Sequence, residues 1–173
     1  MSRIASITCT FAAAALLSAT AVFAQTPAAP VPPAIHNAKR IFVSNAGADC
    51  GLFPHPFSGS PDRVYNQFYA VLNATGNYKL VSNPREADLV IELRLTAPYG
   101  PSEPNKQKGA SDPLPMFRLV IYEAGSHYVL WALTESIDEA DLQKTHDRNF
   151  DAALAVVLRD FEVLSGKAPG GAH

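Results

Sequence analysis

Asp49, Cys50 and His55 lie within one short segment that also contains glycine and proline, and their side-chain types are those of a thiol site. A thiolate paired with an imidazole base is a nucleophile, and Cys, His and Asp side chains also bind metal ions. Such catalysis needs a base within hydrogen-bond reach and a third, orienting group, and proximity in sequence supplies neither. A thiol-dependent or metal-assisted hydrolase centred on Cys50 and His55 is therefore the alternative hypothesis, and a packed or idle Cys50 is the favoured interpretation.

Other cofactor patterns are weaker. His146, Asp147 and Asp151 have metal-ligand chemistry, but His146 and Asp151 are five residues apart and fall on different sides of a helix. The segment from Gly51 onward contains neither the Gly-Lys-Ser/Thr of a phosphate loop nor the three glycines of a dinucleotide site. The sequence therefore predicts no cofactor, no metal and no enzymatic activity.

Two predicted strands present a mixed surface that is better suited to binding. Apolar residues alternate with others in residues 87–96 and 117–122, so one face of each strand belongs to a core. The opposite face carries Val90, Glu92, Arg94, Arg118, Val120 and Tyr122. Arginine and aromatic side chains are enriched at protein interfaces. Glu92, Arg94, Arg118 and Tyr122 are thus candidate partner-binding residues, with a solvated face held by cross-strand ion pairs as the alternative.

The strands and helices that must position these residues are predicted from the spacing of apolar residues and from the turn and capping residues between them. Strands are predicted at residues 40–44, 78–81, 87–96, 117–122 and 127–137, and Asn45-Ala-Gly is predicted to turn the chain after the first of them. Helices are predicted from Ser60 to Gly76 and from Thr145 to Gly166. The order β-α-β-β-β-β-α predicts an α+β two-layer sandwich, with a mixed or mostly antiparallel sheet of about five strands and two helices on one face.

The N-terminal residues predict export. Residues 1–24 combine Arg3, an apolar stretch and a Val-Phe-Ala ending, which is typical of a signal peptide cleaved after Ala24. Cys9 lies inside the apolar stretch, where it cannot become the lipidated first residue of a lipoprotein. We expect a periplasmic or secreted protein without a transmembrane span after cleavage. Its single remaining cysteine allows no intramolecular disulfide.

The rest of the chain is organised around one domain. Residues 25–38 hold four prolines and predict an extended tether, and residues 39–166 form the predicted domain. Within it, residues 97–115 hold five prolines and two glycines and predict a long loop. Residues 167–173 predict a disordered tail. The net charge of −2 and the lack of a Lys/Arg run argue against nucleic-acid partners.

Several strand patterns are similar to those of small periplasmic modules in envelope-associated bacterial proteins. The similarity spans residues 39–165 and rests on Tyr78-Lys-Leu-Val-Ser, Ala87-Asp-Leu-Val-Ile-Glu-Leu, Phe117-Arg-Leu-Val-Ile-Tyr and Val129-Leu-Trp-Ala. The chain resembles the curli-export lipoprotein, the penicillin-binding-protein activator lipoprotein and uncharacterised lipoprotein domains of unknown function. The resemblance implies this fold and a non-enzymatic envelope role, such as docking onto another envelope or secreted protein. It carries over no functional residue, and the chain lacks the lipidated cysteine of those proteins.

A homodimer formed through the same sheet face is a further hypothesis for the partner. Both hypotheses use the mixed surface of the two central strands, because that surface joins apolar and guanidinium groups on one side of the sheet. The sequence therefore predicts where a partner binds and leaves open whether it is a second copy.

Overall fold

The core lies between one face of a five-stranded sheet and two helices. The computed structural model describes residues 29–98 and 114–167, and the described residues from Val31 onward belong to one structural unit. The strands are β1 Arg40–Ala48, β2 Lys79–Leu80, β3 Leu89–Thr96, β4 Met116–Glu123 and β5 Val129–Ser136. The helices are α1 Pro33–Asn37, α2 Arg63–Thr75 and α3 Gln143–Leu164, and 3₁₀ turns cover Cys50–Leu52 and Pro84–Glu86.

The sheet is mixed, with the strand order β2-β1-β3-β4-β5. β1 pairs in parallel with both β2 and β3, whereas β3, β4 and β5 pair antiparallel. Strand β1 is therefore an interior strand although it comes first among the strands, and α2 connects it to the edge strand β2. The predicted α+β class is confirmed, and the element order differs from the predicted one only by the short helix α1 at its start.

Both long helices cover the same face of the sheet. In α2 the buried side chains Val64, Phe68 and Leu72 recur every four residues and so form one stripe. The buried apolar side chains of α3 recur at spacings of three and four residues, and they share one hydrophobic cluster with alternate residues of β3 and β4. Phe117 of β4 packs edge-on against Phe150 of α3, with ring centroids 5.0 Å apart. This contact shows directly which face of β4 the helix layer covers.

Strand β1 continues past the predicted turn. Asn45 pairs with Leu93 and Ala48 pairs with Leu95, so β1 contains one more residue than β3 over this stretch, which is a bulge. Gly47 adopts a φ of 78°, a left-handed conformation that glycine adopts without steric cost. The prediction that Asn45-Ala-Gly ends the strand was wrong, because a bulge uses the same residue types as a turn and the pairing continues beyond it.

The tether prediction was wrong at its C-terminal end. Residues 33–37 form helix α1, in which Ile35 is fully buried, and Ala38 is 2% exposed. His36 lies beside Gly166, so α1 packs near the end of α3. Pro33 suits the first turn of a helix, where its missing N–H has no partner to lose. The prolines therefore start a helix here, and the domain begins earlier than the predicted residue 39.

The remaining boundary predictions lie outside the described residues. The predicted signal peptide, residues 1–24, is not among them, and the described residues include only the ends of the 97–115 loop and Lys167 of the tail. Within residues 29–98 and 114–167, no helix has both the length and the apolar character needed to cross a membrane.

Candidate open-face binding site

The alternation of β3 and β4 creates two chemically different faces. Leu89, Ile91, Leu93 and Leu95 point to the helices and are at most 1% exposed. The residues between them point the other way, and the register pairs them with residues of the neighbouring strands that point the same way. We call this side the open face; it consists of Phe42, Ser44, Val90, Glu92, Arg94, Arg118, Val120, Tyr122, Val129, Ala132 and Thr134.

A shallow cavity of about 110 Å³ lies at the centre of the open face. It is lined by Glu92, Arg94, Arg118, Val120 and Tyr122. Four of these five are the residues singled out from the sequence as a partner-binding set, and the register brings them into one site. Val120 is only 5% exposed and forms an apolar floor beneath the polar groups. A partner group that enters the cavity would meet two guanidinium groups, a phenol and a carboxylate above that floor.

The two arginines occupy directly opposite positions. Arg94 of β3 pairs with Arg118 of β4 across the antiparallel ladder. Directly opposite residues have Cβ atoms about 4.5–5.5 Å apart, so like charges at such positions are destabilising. The nearest described carboxylate to Arg94 is Asp49, whose Oδ1 is 4.0 Å from Nη2. No carboxylate in residues 29–98 or 114–167 forms an ion pair with Arg118.

Glu92 and Tyr122 interact with each other instead. The Tyr122 hydroxyl donates a long hydrogen bond to Glu92 Oε2, at 3.4 Å. Desolvation raises the pKa of Tyr122, and the nearby charge of Glu92 raises it further. The phenol therefore stays neutral at physiological pH and keeps its proton available as a hydrogen-bond donor. Glu92 is only weakly held by this bond, because 3.4 Å exceeds the usual length of a hydroxyl–carboxylate hydrogen bond.

Asp49 was a candidate member of the thiol site with Cys50 and His55, but in the structure it contacts Ala97 and Arg94. Asp49 Oδ2 accepts a hydrogen bond of 2.8 Å from the backbone N–H of Ala97, and its other oxygen faces Arg94. The bulge in β1 places Asp49 there. Cys50 begins the 3₁₀ turn, and His55 is exposed in the loop that follows. No described hydrogen bond joins Asp49 to His55, and the thiol site stays a prediction.

The acidic residues of α3 bind an arginine of α2. Arg63 forms ion pairs with Asp147 and with Asp151, the latter at 2.9 Å. Its guanidinium carbon also lies 4.2 Å from the centre of the Phe150 ring. Despite an opposing desolvation effect, the hydrogen bonds from Arg63 and Ser58 hold the pKa of Asp147 below its usual range. These carboxylates tie the two helices together, and no group of three potential metal ligands occurs in the described part of the chain.

Sequence reasoning missed several members of the open face. Phe42 was assigned to a buried strand, yet it pairs with Val90 and lies half-buried on the open side. Val129 pairs with Tyr122 and is 57% exposed, so it adds an apolar group beside the phenol. The short run Ile41-Phe42-Val43 contains no alternation that could have revealed this. The register of β1 against β3 is what places Phe42, and it joins segments almost fifty residues apart.

The fold and this site define a class: a two-layer α+β module with helices on one side of a mixed sheet and a polar–apolar surface on the other. The chain is similar to solved structures that include lipoprotein domains, as the strand patterns predicted. No protein family model matches the sequence, and no curated protein is significantly similar to it.

Three of the solved structures illustrate the likeness. The PelC dodecamer from Paraburkholderia phytofirmans has 15% identity and a TM-score of 0.42, over 71% of this chain and 86% of that one. The LpoB C-terminal domain from Salmonella enterica has 10% identity and a TM-score of 0.37, over 58% and 83%. Lipoprotein GNA1162 from Neisseria meningitidis has 12% identity and a TM-score of 0.36, over 69% and 97%. A likeness this distant gives no information about activity or partners.

Proposed function

We propose that this chain is a non-enzymatic binding module of the cell envelope, exported to the periplasm or secreted, which docks another envelope or secreted protein on its open face. The observation that carries the proposal is the composition of that face. It joins an apolar floor, an aromatic ring and two guanidinium groups that are only weakly engaged by the chain's own residues. The leader at residues 1–24 supports export, because its charge, apolar stretch and small terminal residues suit signal peptidase.

The positions of these side chains favour recognition over bond-making chemistry. They project from interior strands of a sheet whose other face packs against the helices, so their backbones are held rigidly and little backbone entropy is lost on binding. Arginine and tyrosine contribute much of the binding energy at protein interfaces because they combine a large contact area with directional hydrogen bonds. Exposed Val129 and half-buried Phe42 extend the apolar area on both sides of the cavity.

The size of the open face sets the kind of complex to expect. Four strands spaced about 4.8 Å apart and about 27 Å long present roughly 500 Å² of planar area. Stable, specific interfaces bury about 800 Å² on each partner. Docking on the open face alone therefore corresponds to a transient complex, and a long-lived one requires contacts at the sheet edges as well.

Site-specific photo-crosslinking in the cells that export the protein tests the proposal. A benzophenone amino acid at Thr134 places the crosslinker on the open face next to Arg118, and the same amino acid at exposed Asn73 on α2 is the matched control. We expect a discrete adduct from Thr134, none from Asn73, and loss of the Thr134 adduct in the Arg94→Glu, Tyr122→Ala variant. An adduct of twice the protein's mass would identify a second copy as the partner.

The opposite pattern would refute the proposal. An adduct from Asn73 without one from Thr134 would place the partner on the helix layer. A Thr134 adduct of undiminished yield in the double variant would mean that the arginine and the tyrosine take no part in docking. All the substituted side chains are at least partly exposed in the unmodified protein, so the far-UV circular dichroism spectrum of each variant should match that of the unmodified protein. This spectrum serves as the folding control.

A further inference from the structure

Arg94 and Arg118 are the two cationic side chains of the open face. They face each other across β3 and β4, and both side chains are exposed. Among residues 29–98 and 114–167, Arg94 has only the distant Asp49 as a counter-ion, and the Asp49 carboxylate already accepts the Ala97 N–H. Two guanidinium groups that line one cavity from opposite strand positions repel each other, and an anion bound between them would relieve that repulsion.

Nearby carboxylates do not supply that anion within the described residues. Glu92 lies on the same strand as Arg94 and lines the same cavity, but it accepts the hydrogen bond of the Tyr122 hydroxyl and forms no ion pair with either arginine among the described residues. Asp49 Oδ1 lies 4.0 Å from Arg94 Nη2, and Asp49 forms no ion pair with Arg118. The cavity of about 110 Å³ exceeds the roughly 30 Å³ that a water molecule occupies in the liquid, so it can admit a carboxylate group.

We propose that Arg94 and Arg118 together bind a carboxylate side chain from an acidic, extended segment of the docked protein, a proposal that rests on the proposed function. Each guanidinium can donate two parallel hydrogen bonds to a carboxylate, and bonds between charged groups are among the strongest in proteins. The single proton of the Tyr122 hydroxyl is donated to Glu92 at 3.4 Å, and an incoming carboxylate would compete with Glu92 for it. Val120 below and Val129 beside the phenol contact the apolar parts of the same segment.

The charge pattern favours an acidic protein segment over a polyanion. Glu92 and Asp49 flank the arginine pair, so a nucleic acid or an anionic membrane would bring negative groups against both of them. A peptide can place one carboxylate between the arginines and neutral side chains against Glu92. An extended peptide puts alternate side chains on the same side, and this spacing matches the alternate residues of the underlying strands.

The test is an NMR titration of the isotope-labelled protein, purified as the cells export it. The probe is a synthetic peptide in which Glu alternates with Val, and the same peptide with Gln in place of Glu is its control. We expect the Glu peptide to shift the amide signals of Arg94, Arg118 and Tyr122, and the Gln peptide to bind about tenfold more weakly. Arg118→Gln should weaken the Glu peptide about tenfold, whereas Arg85→Gln, at an exposed arginine of the 3₁₀ turn, should not.

Two further arms distinguish the source of the anion. Inorganic phosphate and phosphatidylglycerol vesicles are titrated under the same conditions, and the proposal expects neither to shift these amides as strongly as the Glu peptide. Stronger shifts with phosphate or vesicles would overturn it, as would equal binding of the Glu and Gln peptides or unchanged binding by Arg118→Gln.

Crosslinking separates this proposal from the docking function. A Thr134 adduct that survives combined Arg94→Gln and Arg118→Gln substitution would refute the carboxylate site and leave docking on the open face in place. Absence of any Thr134 adduct in the unmodified protein would refute the docking function itself.

Discussion

The two faces of the sheet are built from the same strands but have opposite physical roles. On the helix-covered side, Leu89 and Phe117 are fully buried. On the open face, their sequence neighbours Val90 and Arg118 remain partly or largely exposed. Since successive side chains of a strand point to opposite sides, each residue can serve one role without affecting the other. Stability is therefore concentrated on one face, which leaves the other free to carry costly charges for recognition.

The largest difference between the faces should appear in the free energy of unfolding when one side chain on each face is replaced by alanine. Phe117→Ala removes a fully buried ring that packs on Phe150, and we expect it to lower the free energy of unfolding by about 3–5 kcal/mol. Thr134→Ala, on the open face of the adjacent strand, should change it by no more than about 0.5 kcal/mol. Urea denaturation followed by circular dichroism measures both. Similar effects of the two substitutions would contradict the contrast between the faces.

A second experiment asks whether helix α1 belongs to the covered side. Ile35→Ala removes a fully buried side chain, and we expect a loss of about 2–4 kcal/mol in the same denaturation experiment. Val31, in the same segment, is only partly buried, so Val31→Ala is the milder comparison. A negligible effect of Ile35→Ala would mean that residues 33–37 behave as the tether that the prolines alone predict.

A third experiment compares two carboxylates: Asp88, which accepts several hydrogen bonds, and Glu92, which accepts one long hydrogen bond. Asp88 accepts hydrogen bonds from the Arg40 side chain and from the backbone N–H groups of Lys39 and Arg40, which lower its pKa to about 2. Because about a third of the Asp88 side chain is exposed, solvent screening reduces the benefit, and we expect Asp88→Asn to cost about 1–2 kcal/mol at pH 7. Glu92→Gln, on the open face, should cost no more than about 0.5 kcal/mol.

The pH dependence of the stability lost in Asp88→Asn follows from the lowered pKa of Asp88. A carboxyl group whose pKa is lower in the folded state stabilises the protein above its unfolded pKa, and this contribution is lost as the pH falls through its folded pKa. The difference in stability between the natural protein and Asp88→Asn should therefore be constant above pH 5 and shrink towards pH 2. A difference that grows on acidification would show that the carboxylate is not held by these donors.

The smallest predicted effect has the opposite sign. Arg118→Gln removes one of two directly opposed guanidinium groups, so we expect it to raise stability by about 0.2–1 kcal/mol at low ionic strength. The gain should fade in 1 M salt, where charges more than about 3 Å apart are screened. Arg85→Gln is the control at an exposed arginine elsewhere. A loss of stability in Arg118→Gln would show that the residue supports the fold and would remove the argument that its charge is kept for a ligand.

Local signals in the chain were enough to predict much of this architecture. The alternation in β3 and β4 predicted which side chains face the core, and the apolar repeats predicted the helices α2 and α3. The single apolar face of β3 predicted that both helices pack on one side of the sheet. Glycine and proline residues were less informative about element boundaries. Gly47 lies in a bulge where a turn was predicted, and Pro33 begins a helix where an extended tether was predicted. Glycine and proline restrict the backbone locally, but pairing and packing with distant segments decide which permitted structure forms.

The sequence by itself determined the two-faced character of the sheet, because the direction of a side chain along a strand depends only on its position in that strand. Tertiary structure decided which residues meet on the open face. Arg94 and Arg118 are separated by a long connection that does not set a register, and Phe42 and Asp49 join them through the parallel pairing of β1 with β3. These neighbours are set by how segments distant in sequence pair and pack, because that arrangement has the lowest free energy. A local pattern of apolar residues carries no information about it.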